Sequence, residues 1–571
     1  MSSYFKAIAV DFDGTLTEGG RPQARVLASL AEARDAGMAL LLVTGRVVSD
    51  LLHVFPDAEQ WFDVIVAENG AVIRRGGVSH AMTAPVPLEL DAPLVELGVY
   101  FQRGQVLLGC NSEDEFLVLE QVRRLGADCQ LIRNRGALMV LPSEISKGSG
   151  LLEALEGLGI SYHSTIGIGD AENDLALLRH CELAVAVGNA VDSLKREADT
   201  VLTANAGEAV ADFLRDRVLA GAPLPASRRW QVTLGQSDSG GRVRMPASQA
   251  NVLFVGDSGV GKSYAAGLLA ERLVELDYSV CILDPEGDHG PLGHLHQVVA
   301  LGGSGPLPPA ESVPELLRQQ LGSLVVDLSL LGEERQGRYA AELLRALHEE
   351  RRRSGLPHWI IVDEAQVPFG DEGAACRMFQ SQKGLCLVTY DPAQLCRSSG
   401  LDFDFLIAIP GENGIHPAAL EGMRERWDID PLDRLPEPQE GQALLLRLGD
   451  SPQVELFKLG RRFIQHVRHW HKYADAHLPP RDMFQFRNYF GVTGARADNL
   501  ATFRRELLLC DSTVLEHHAA HGDFSNWLAH AIHDETLAST ARGLEGKSQA
   551  DGAFEGLRHA LVEAIEIRYL S

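Results

Sequence analysis

The chain has 571 residues, which predicts about three to five folding units. Its 45% hydrophobic and 23% charged residues are ordinary for a globular protein and exclude wholesale disorder and a small disulfide-rich scaffold. The 52 Lys and Arg against 78 Asp and Glu give a net charge of −26, so nucleic acid is possible as a partner but not favoured.

The cysteines and the apolar segments indicate a compartment. Eight cysteines are scattered without a Cys-x-x-Cys pair, which is typical of reduced thiols in a cytosolic protein. No stretch approaches the roughly 18 apolar residues of a membrane span, and the first residues lack the pattern of a signal peptide. We therefore expect a cytoplasmic protein with no membrane partner.

Apolar runs alternate with helical patterns from the N-terminus, beginning with "AIAV", "PQARVLASLAEARDAG" and "ALLLV". This alternation predicts a doubly wound, three-layer α/β unit over residues 1–218. Residues 219–245, rich in Gly, Pro and Ser, are predicted to form a linker. A second βα series, opening at "NVLFVGDSGVGKS", predicts another doubly wound α/β unit over residues 246–460. Residues 461–571 read as an all-α module.

Acidic residues follow two of the predicted strands at their carboxyl ends. Asp11 and Asp13 leave the first strand in "DFDGTLTE", and Asp170 and Asp174 follow a later strand in "IGIGDAENDLALL". Open α/β sheets bind ligands at the carboxyl ends of their strands, so these carboxylates are expected to converge. Oxygen ligands of this kind favour Mg²⁺.

Two donors lie between these acidic motifs: Thr44, in "LLVTGR", and Lys147, in "ISKGSGLLEAL". A hydroxyl and an ammonium are suitable donors to a phosphoryl group in transfer. In this order the four motifs resemble those of the haloacid dehalogenase superfamily of phosphatases. The sugar-phosphatase and Cof-like branch of that superfamily also has "ENG" after the third strand. The resemblance covers about residues 4–218.

The resemblance implies a Rossmann-like core with a small αβ cap over about residues 75–142. It implies that Asp11 is the nucleophile, forming an aspartyl-phosphate, and that Asp13 is the general acid and then the base. Thr44 is implied on the phosphate, and Lys147 beside the nucleophile. The ligands implied for Mg²⁺ are Asp11, the Asp13 carbonyl oxygen, Asp170 and, in support, Asp174.

The cap of such phosphatases chooses the substrate, expected here to be a compact phosphorylated acid or sugar. Four residues are candidate contacts to the leaving group, although a solvated surface position is the better interpretation for each. They are Arg103, Arg133, Asn134 and Arg135.

A phosphate-binding pattern, G-x-x-x-x-G-K-[ST], opens the second unit between an apolar strand and a helix. Its backbone amides and Lys262 would hold nucleotide phosphates, and the Ser263 hydroxyl would reach Mg²⁺. Further on, "HWIIVDEAQ" ends a strand in Asp363, expected at the Mg²⁺ water shell, and Glu364, expected to orient or deprotonate water. The residues predicted to bind ATP and its Mg²⁺ are Gly256, Ser258, Gly259, Gly261, Lys262, Ser263 and Asp363.

Two further stretches, "CILDPEGDH" and "GLCLVTYDPAQL", accompany the phosphate loop. Together they resemble the HerA and FtsK division of RecA-like P-loop ATPases over about residues 246–460. The resemblance implies ATP hydrolysis in a homo-oligomeric ring, most simply a hexamer, with an arginine from the neighbouring subunit; Arg377 and Arg397 are candidates. Family members commonly have Gln after the Thr of the sensor strand, whereas here Tyr390 follows Thr389.

The C-terminal module resembles a helical module appended to some haloacid dehalogenase phosphatases, in "HKYA" and "HGDFSNWL". Its histidines have no acid or cysteine at a convincing ligand spacing, and packing or surface positions are the better interpretation. These histidines are His466, His469, His471, His517, His518 and His521. The basic run that could meet an anionic partner is Arg461, Arg462, Arg468 and Lys472.

The sequence favours a Mg²⁺-dependent hydrolase of a small phosphorylated metabolite, fused to an ATP-hydrolysing domain that regulates or assembles it. Two alternatives stay open: a nucleic-acid motor with an accessory phosphatase domain, and a polynucleotide kinase-phosphatase. The charge of −26 and Tyr390 argue against the motor. Asp363 and Glu364, arranged to activate water, argue against the kinase.

Overall fold

The computed structural model describes the greater part of the chain. Among the helices of the described residues, none combines the length and the apolar character needed to cross a membrane. The described residues are 4–134, 136–320, 322–370, 374–380, 382–395, 401–411, 414–415, 438, 441–448, 453–464, 478, 482–489, 491–532 and 534–566.

The N-terminal part contains a main sheet and a smaller cap sheet. Its helices are α1 (Ala24–Asp35), α2 (Val48–Val54), α3 (Ala58–Trp61), α4 (Asp91–Glu96), α5 (Glu115–Leu125), α6 (Lys147–Leu158), α7 (Asp174–His180), α8 (Asp192–Glu197) and α9 (Ala206–Phe213). Its strands are β1 (Ala7–Asp11), β2 (Ala39–Val43), β3 (Val64–Ala67), β4 (Val72–Arg75), β5 (Val78–Ala81), β6 (Phe101–Arg103), β7 (Leu108–Asn111), β8 (Cys129–Asn134), β9 (Ala137–Pro142), β10 (Thr165–Gly169), β11 (Leu183–Ala186) and β12 (Thr200–Val201).

The main sheet has the order β12-β11-β10-β1-β2-β3-β4-β5. Its strands are parallel from β12 to β3, and β4 and β5 form an antiparallel edge. The central strand β1 is buried throughout its length, as expected of a strand covered by helices on both faces. The adjacent strands β1 and β10 place their carboxyl ends, Asp11 and Gly169, at the same edge of the sheet. The expected Rossmann-like α/β fold is confirmed for this part of the chain.

The cap is a four-stranded antiparallel sheet in the order β6-β7-β9-β8 with α4 and α5. Its own core of buried residues begins at Val86. The cap therefore starts later than residue 75, where the sequence placed it. The difference arises because β5 pairs with β4 and so extends the main sheet.

The second large sheet lies in the central part of the chain, with helices α10 (Lys262–Glu275), α11 (Val313–Gln320), α12 (Glu333–Ser354) and α13 (Ala374–Phe379). Its order is β14-β13-β23-β22-β21-β15-β20-β19-β16-β18-β17, parallel from β21 to β17. The strands are β13 (Gln231–Ser237), β14 (Arg242–Pro246), β15 (Val252–Val255), β16 (Val280–Asp284), β17 (Val298–Gly302), β18 (Ser323–Asp327), β19 (Trp359–Val362), β20 (Leu385–Thr389), β21 (Phe405–Ala408), β22 (Gln442–Arg447) and β23 (Gln453–Leu459).

The stretch predicted as a linker, residues 219–245, forms two strands in its second half. β13 and β14 form a hairpin, and β13 pairs with β23 of the second sheet. Val232 and Leu234 are buried on β13, an alternation that the flanking Gly and Ser residues obscured. Before the hairpin, Arg229 forms an ion pair with Asp199 of the N-terminal part at 2.8 Å. The linker prediction is therefore wrong for residues 231–245.

The C-terminal part is not all-helical as predicted. It contains a hairpin of β24 (Phe484–Asn488) and β25 (Gly491–Ala497), since Phe484 and Phe486 alternate with polar residues and enter the core. Five helices follow within the described residues: α14 (Leu500–Leu509), α15 (Ser512–His521), α16 (Asp523–His530), α17 (Glu535–Asp551) and α18 (Phe554–Ile565).

The cysteines also depart from expectation. Within the described residues, six of them are free thiols: Cys110, Cys129, Cys181, Cys281, Cys386 and Cys510. Cys376 is disulfide-bonded, so the expectation of reduced cysteines is wrong at this position. The sequence could not indicate a pairing that depends on folding rather than on a short Cys-x-x-Cys spacing.

A buried polar cluster joins the N-terminal part to the central part. Glu182, at the start of β11, accepts a hydrogen bond from the Tyr278 hydroxyl at 2.6 Å. The same carboxylate lies 2.7 Å from Nδ1 of His163, whose Nε2 lies 2.7 Å from the carbonyl oxygen of Leu276. Leu276 and Tyr278 come directly after α10, so the helix that follows the phosphate loop ends against the N-terminal part.

Candidate active sites

The carboxyl ends of β1 and β10 bring three buried carboxylates together. One oxygen of each of Asp11, Asp170 and Asp174 lies within 4.8 Å of the others. Lys147, the first residue of α6 and 1% exposed, donates from Nζ to Asp11 Oδ1 and to Asp174 Oδ1, each at 2.6 Å. The three carboxylates supply oxygen ligands, and their negative charge exceeds the positive charge of the one ammonium. Such a site fits a hard divalent cation such as Mg²⁺.

The burial of this cluster affects its ionisation. Burial and the Asp174 carboxylate raise the pKa of Asp11 well above its ordinary value, and the Lys147 ammonium opposes that rise. Burial works to lower the pKa of Lys147, but the two carboxylates outweigh it and raise that pKa. Lys147 therefore stays charged, and a further cation would favour the ionised Asp11 that nucleophilic attack requires.

Loop contacts hold the remaining acids in place. Asp174 Oδ2 accepts the backbone N–H groups of Asp170 at 2.9 Å and Ala171 at 3.0 Å. The Thr15 hydroxyl donates to Asp170 Oδ1 at 3.0 Å. Asp174 is thus more than an acid at a helix N-terminus, because it fixes the loop that carries Asp170.

Asp13 lies beside the cluster and contacts Arg46. The guanidinium donates from Nε to Asp13 Oδ2 and from Nη2 to Asp13 Oδ1, both at 2.7 Å, and from Nη1 to Asp50 at 2.6 Å. Arg46 belongs to the same "TGR" motif as Thr44, whose buried hydroxyl accepts the Arg46 backbone N–H at 3.1 Å. The sequence alone indicates no role for Arg46.

A cavity of about 390 Å³ lies between this cluster and the cap. Asp11, Asp13 and Arg46 line it from the core, and neutral polar side chains line it from the cap: Tyr100, Gln102, Asn111 and Asn134.

Of the four cap residues predicted from sequence, only Asn134 lines the cavity within the described residues. Arg103 is bound to Asp91 and to the carbonyl oxygens of Val86 and Pro87. Arg133 pairs with Glu115 at the surface. Arg135 lies outside the described residues. Arg103 and Arg133 therefore stabilise the cap rather than face the substrate.

Glu68, of the "ENG" motif, ties the core to the cap. Its buried carboxylate accepts the backbone N–H groups of Gln105, Val106 and Leu107 at 2.8, 2.8 and 3.0 Å. Its φ of +53° places it in the left-handed region, where a glutamate is uncommon. Leu107 also lines the cavity, so this contact sets the cap above the acidic cluster. No local pattern in the sequence signals this long-range contact.

The phosphate-loop residues lie between β15 and α10, where a strand, loop and helix succeed one another. Gly259 and Gly261 have φ values of +86° and +103°, which favour glycine at both positions. A Cβ on Gly256 would lie 2.5 Å from the carbonyl oxygen of Ile409. Lys262 begins α10, and its Nζ donates to the carbonyl oxygen of Asp257 at 2.8 Å. Ser258 belongs to the same loop.

Asp363 is brought to this loop at the end of β19. It accepts a hydrogen bond from Ser263, and His289 Nε2 lies 3.1 Å from its Oδ2. Burial works to raise the pKa of Asp363, but the contacts with His289 and Ser263 outweigh it and lower that pKa. The backbone N–H of His289 is held by the buried Asp284 at 2.7 Å. The sequence alone indicates no role for His289 or Asp284.

Glu364 follows Asp363 in the left-handed region, with a φ of +46°. The side-chain amide of Gln366 donates to a carboxylate oxygen of Glu364. The Thr389 hydroxyl donates to Gln366 Oε1 at 3.0 Å, so Gln366 connects the sensor strand β20 to Glu364. Tyr390 is 44% exposed.

Only some of the basic residues that the sequence offered for contact with a partner lie within the described residues. The side chain of Arg462 is 2% exposed and pairs with the buried Glu271 of α10 at 2.8 Å, so it is not available to an anionic partner. Arg377 lies on α13. Arg397, Arg468 and Lys472 lie outside the described residues, as do His466, His469 and His471.

Comparisons with known proteins divide the chain in the same way as its two large sheets. Residues 8–86 and 124–214 match the model of haloacid dehalogenase-like hydrolases. Residues 250–315 match the model of the central domain of helicase HerA.

Relatives of the N-terminal part are similar over nearly their full length. The phosphoglycolate phosphatase of Archaeoglobus fulgidus is 30% identical over 227 residues, covering 37% of this chain and 96% of that protein. That of Nitrosopumilus maritimus is 31% identical over 225 residues, covering 37% of this chain and 94% of that protein. A solved haloacid dehalogenase-like hydrolase from Bacteroides thetaiotaomicron is 20% identical, with a TM-score of 0.34, covering 37% of this chain and 99% of that one.

The family match spans the main sheet and the strand ends that carry the buried acids, and the relatives align over the same region. Through its N-terminal part, this chain belongs to the haloacid dehalogenase-like hydrolase family.

Proposed function

We propose that the N-terminal part, about residues 1–218, is a Mg²⁺-dependent phosphomonoester hydrolase. The observation that carries this proposal is Lys147 bridging Asp11 and Asp174, with Asp170 beside them, where Asp11 lines the cavity. The substrate is a small phosphorylated metabolite of the sugar-phosphate or phosphoglycolate type. The names of the relatives and the size of the cavity support this class.

The buried acids fit a metal. Asp11, Asp170 and the Asp13 carbonyl oxygen would hold Mg²⁺, with Asp174 in support. Bound there, Mg²⁺ supplies charge neutralisation for the phosphoryl oxygens.

The side chains around it divide the chemistry. Asp11 attacks the phosphorus, the bond to the leaving-group oxygen breaks, and an aspartyl-phosphate forms. Asp13 protonates the leaving group and then takes a proton from the water that hydrolyses the aspartyl-phosphate. Lys147 holds Asp11 in position, and Thr44 donates to a phosphoryl oxygen. Arg46 now donates to both Asp13 oxygens, so it must release one before Asp13 can donate a proton.

The test is p-nitrophenyl phosphate hydrolysis by Asp11→Asn, which keeps the size of the side chain and removes the nucleophile. Turnover should fall by at least about 10³-fold. Glu172→Gln is the matched control, because Glu172 is an exposed acid in the β10–α7 loop and its neutralisation should leave turnover unchanged. Retained activity in Asp11→Asn would overturn the proposal. Phosphoglycolate, sugar phosphates, nucleotides and 3′-phosphorylated DNA ends then identify the substrate.

The central part, about residues 246–460, binds and hydrolyses ATP in this proposal and regulates or assembles the phosphatase in a homo-oligomer. The phosphate loop and Lys262 would bind the phosphates. Ser263 and Asp363, already in contact, would hold Mg²⁺, and Glu364 would accept a proton from water. The match of residues 250–315 to a helicase domain keeps the nucleic-acid motor as the second candidate.

Two variants test the central site. Lys262→Ala should abolish ATP binding, whereas Glu364→Gln should bind ATP and fail to hydrolyse it. Both should retain the p-nitrophenyl phosphate turnover that is measured without ATP, since the two sites are built from different residues. ATP hydrolysis at the parental rate in either variant would contradict the assignment. Stimulation of the ATPase by DNA would favour the motor.

A further inference from the structure

A cluster of potential metal ligands lies at the junction of α15 and α16, far along the chain from either proposed active site. His517 and His521 are one turn apart on α15, and Asp523 follows the left-handed Gly522 at the start of α16. One ligand atom from each of the three side chains lies within 4.8 Å of the others. The rings of His517 and His521 have their centroids 4.7 Å apart. The turn at Gly522 therefore brings together three side chains whose spacing along the sequence does not indicate a metal site.

His521 is oriented with one nitrogen available. Its Nδ1 lies 2.7 Å from the carbonyl oxygen of His517. A carbonyl oxygen only accepts hydrogen bonds, so Nδ1 carries the hydrogen and Nε2 keeps its lone pair. Histidines that bind metals are commonly held in this way, by a hydrogen bond from the other ring nitrogen.

Asp523 is oriented by a second histidine. The backbone N–H of Arg487 donates to Nε2 of His518 at 2.8 Å, so Nδ1 of His518 carries the hydrogen. That Nδ1 lies 2.7 Å from Asp523 Oδ2 and donates to it. One carboxylate oxygen is thereby fixed, which leaves Oδ1 as the ligand atom.

His517 supplies the third ligand. Its Nδ1 is buried and has no hydrogen-bond partner among the residues that the structure describes, a state that costs free energy of desolvation. Its ring packs edge-on against Tyr489, at 5.2 Å between centroids, which restrains the ring. A metal ion bound through Nδ1 would give this nitrogen the partner that it lacks.

We propose that His517, His521 and Asp523 bind one Zn²⁺ ion, with water completing a tetrahedral set of ligands. Two imidazoles and a carboxylate suit Zn²⁺, whereas Mg²⁺ prefers oxygen ligands and would remain at the acidic cluster of the N-terminal part. The ion would join α15 to α16 and so stabilise the C-terminal part. This inference does not depend on the proposed phosphatase or ATPase activity.

The test compares Zn²⁺ binding by the full, tag-free chain with that of His521→Ala and Asp523→Asn, using equilibrium dialysis in millimolar Mg²⁺. Both variants keep the N-terminal acids, so the difference in stoichiometry isolates the C-terminal site. His559→Ala is the matched control, because His559 makes the same Nδ1 contact, 2.8 Å from the carbonyl oxygen four residues earlier, on α18. Among the described residues, it belongs to no cluster of three potential ligands.

The parental chain and His559→Ala should each bind one Zn²⁺ more than His521→Ala or Asp523→Asn. Co²⁺ in its place should give visible absorption typical of tetrahedral coordination, which the two site variants lose. Zn²⁺ should raise the unfolding temperature of the parental chain, and the binding should be lost as acid protonates the imidazoles. Equal Zn²⁺ stoichiometry in the parental chain and His521→Ala would overturn the proposal.

Discussion

In the proposed ATP site, Gln366 joins two residues at the ends of neighbouring strands. In the ATPases that the central part resembles, the residue after the sensor Thr is commonly Gln, but here it is the half-exposed Tyr390. Gln366 reaches Thr389 from the end of the neighbouring strand and contacts Glu364 as well. It can therefore position Glu364 in the proposed ATP site.

Gln366→Ala should lower the ATPase kcat by roughly 10-fold and leave the KM for ATP nearly unchanged, because only the orientation of Glu364 is lost. Steady-state ATPase assays measure both constants. Gln394→Ala is the control, since Gln394 is an exposed glutamine beside the same strand end and should have no effect on kcat. An unchanged kcat in Gln366→Ala would show that Glu364 does not need this contact.

At the scale of elements, the Glu68 contact couples the cap to the main sheet. Three backbone N–H groups between β6 and β7 converge on one carboxylate, and hydrogen bonds to a charged group contribute about 1.5–3 kcal/mol each. Within the described residues, no side chain of the cap contributes a cation to the cavity. The position of the cap rather than a charge on it would then govern how the substrate is enclosed.

Glu68→Gln keeps one acceptor oxygen in place of two and removes the charge, so we expect the cap to open more often. Amide hydrogen exchange at residues 105–107 should become faster, and the KM for a natural substrate should rise by several-fold. Glu96→Gln neutralises an exposed acid on α4 of the cap and should change neither quantity. Unaltered exchange at residues 105–107 would count against the coupling.

The sequence predicted elements and motifs better than the contacts between them. Continuous apolar runs predicted the parallel strands, and the motifs at strand ends singled out Asp11, Asp170 and the phosphate loop. The hairpin of β13 and β14 was missed because Gly and Ser residues hid the alternation of Val232 and Leu234. The roles of Arg46, Glu68 and His289 depend on partners distant in the sequence, and no local pattern encodes such proximity.

At the scale of the whole molecule, one helix and one strand connect the two proposed sites. Helix α10 begins at Lys262 of the phosphate loop and ends just before Leu276, which contacts His163. His163 precedes β10, and β10 leads to Asp170. The two proposed sites are therefore linked by α10, by the contact of His163 with the Leu276 carbonyl oxygen and by β10, and we expect a change at the nucleotide site to reach the acidic cluster along this route.

Tyr278 and Tyr162 allow the strength of this interface to be measured. Burial, together with the Glu182 carboxylate, raises the pKa of Tyr278 well above its ordinary value, so its hydroxyl stays protonated and donates to Glu182. Tyr278→Phe leaves a buried carboxylate with one donor fewer and should lower the free energy of unfolding by about 1–3 kcal/mol. Tyr162→Phe, the matched control, removes a hydrogen bond to the exposed Asp277 and should cost less than about 1 kcal/mol.

Urea denaturation of the full chain, followed by fluorescence and circular dichroism, measures both variants. The loss in Tyr278→Phe should fall in the transition that includes both sheets, because Glu182 belongs to the N-terminal part and Tyr278 to the central part. Equal losses in the two variants would mean that the buried cluster contributes no more than a surface hydrogen bond. The two parts would then be joined chiefly by the chain and by their apolar contacts, and a signal from the nucleotide site would need another route.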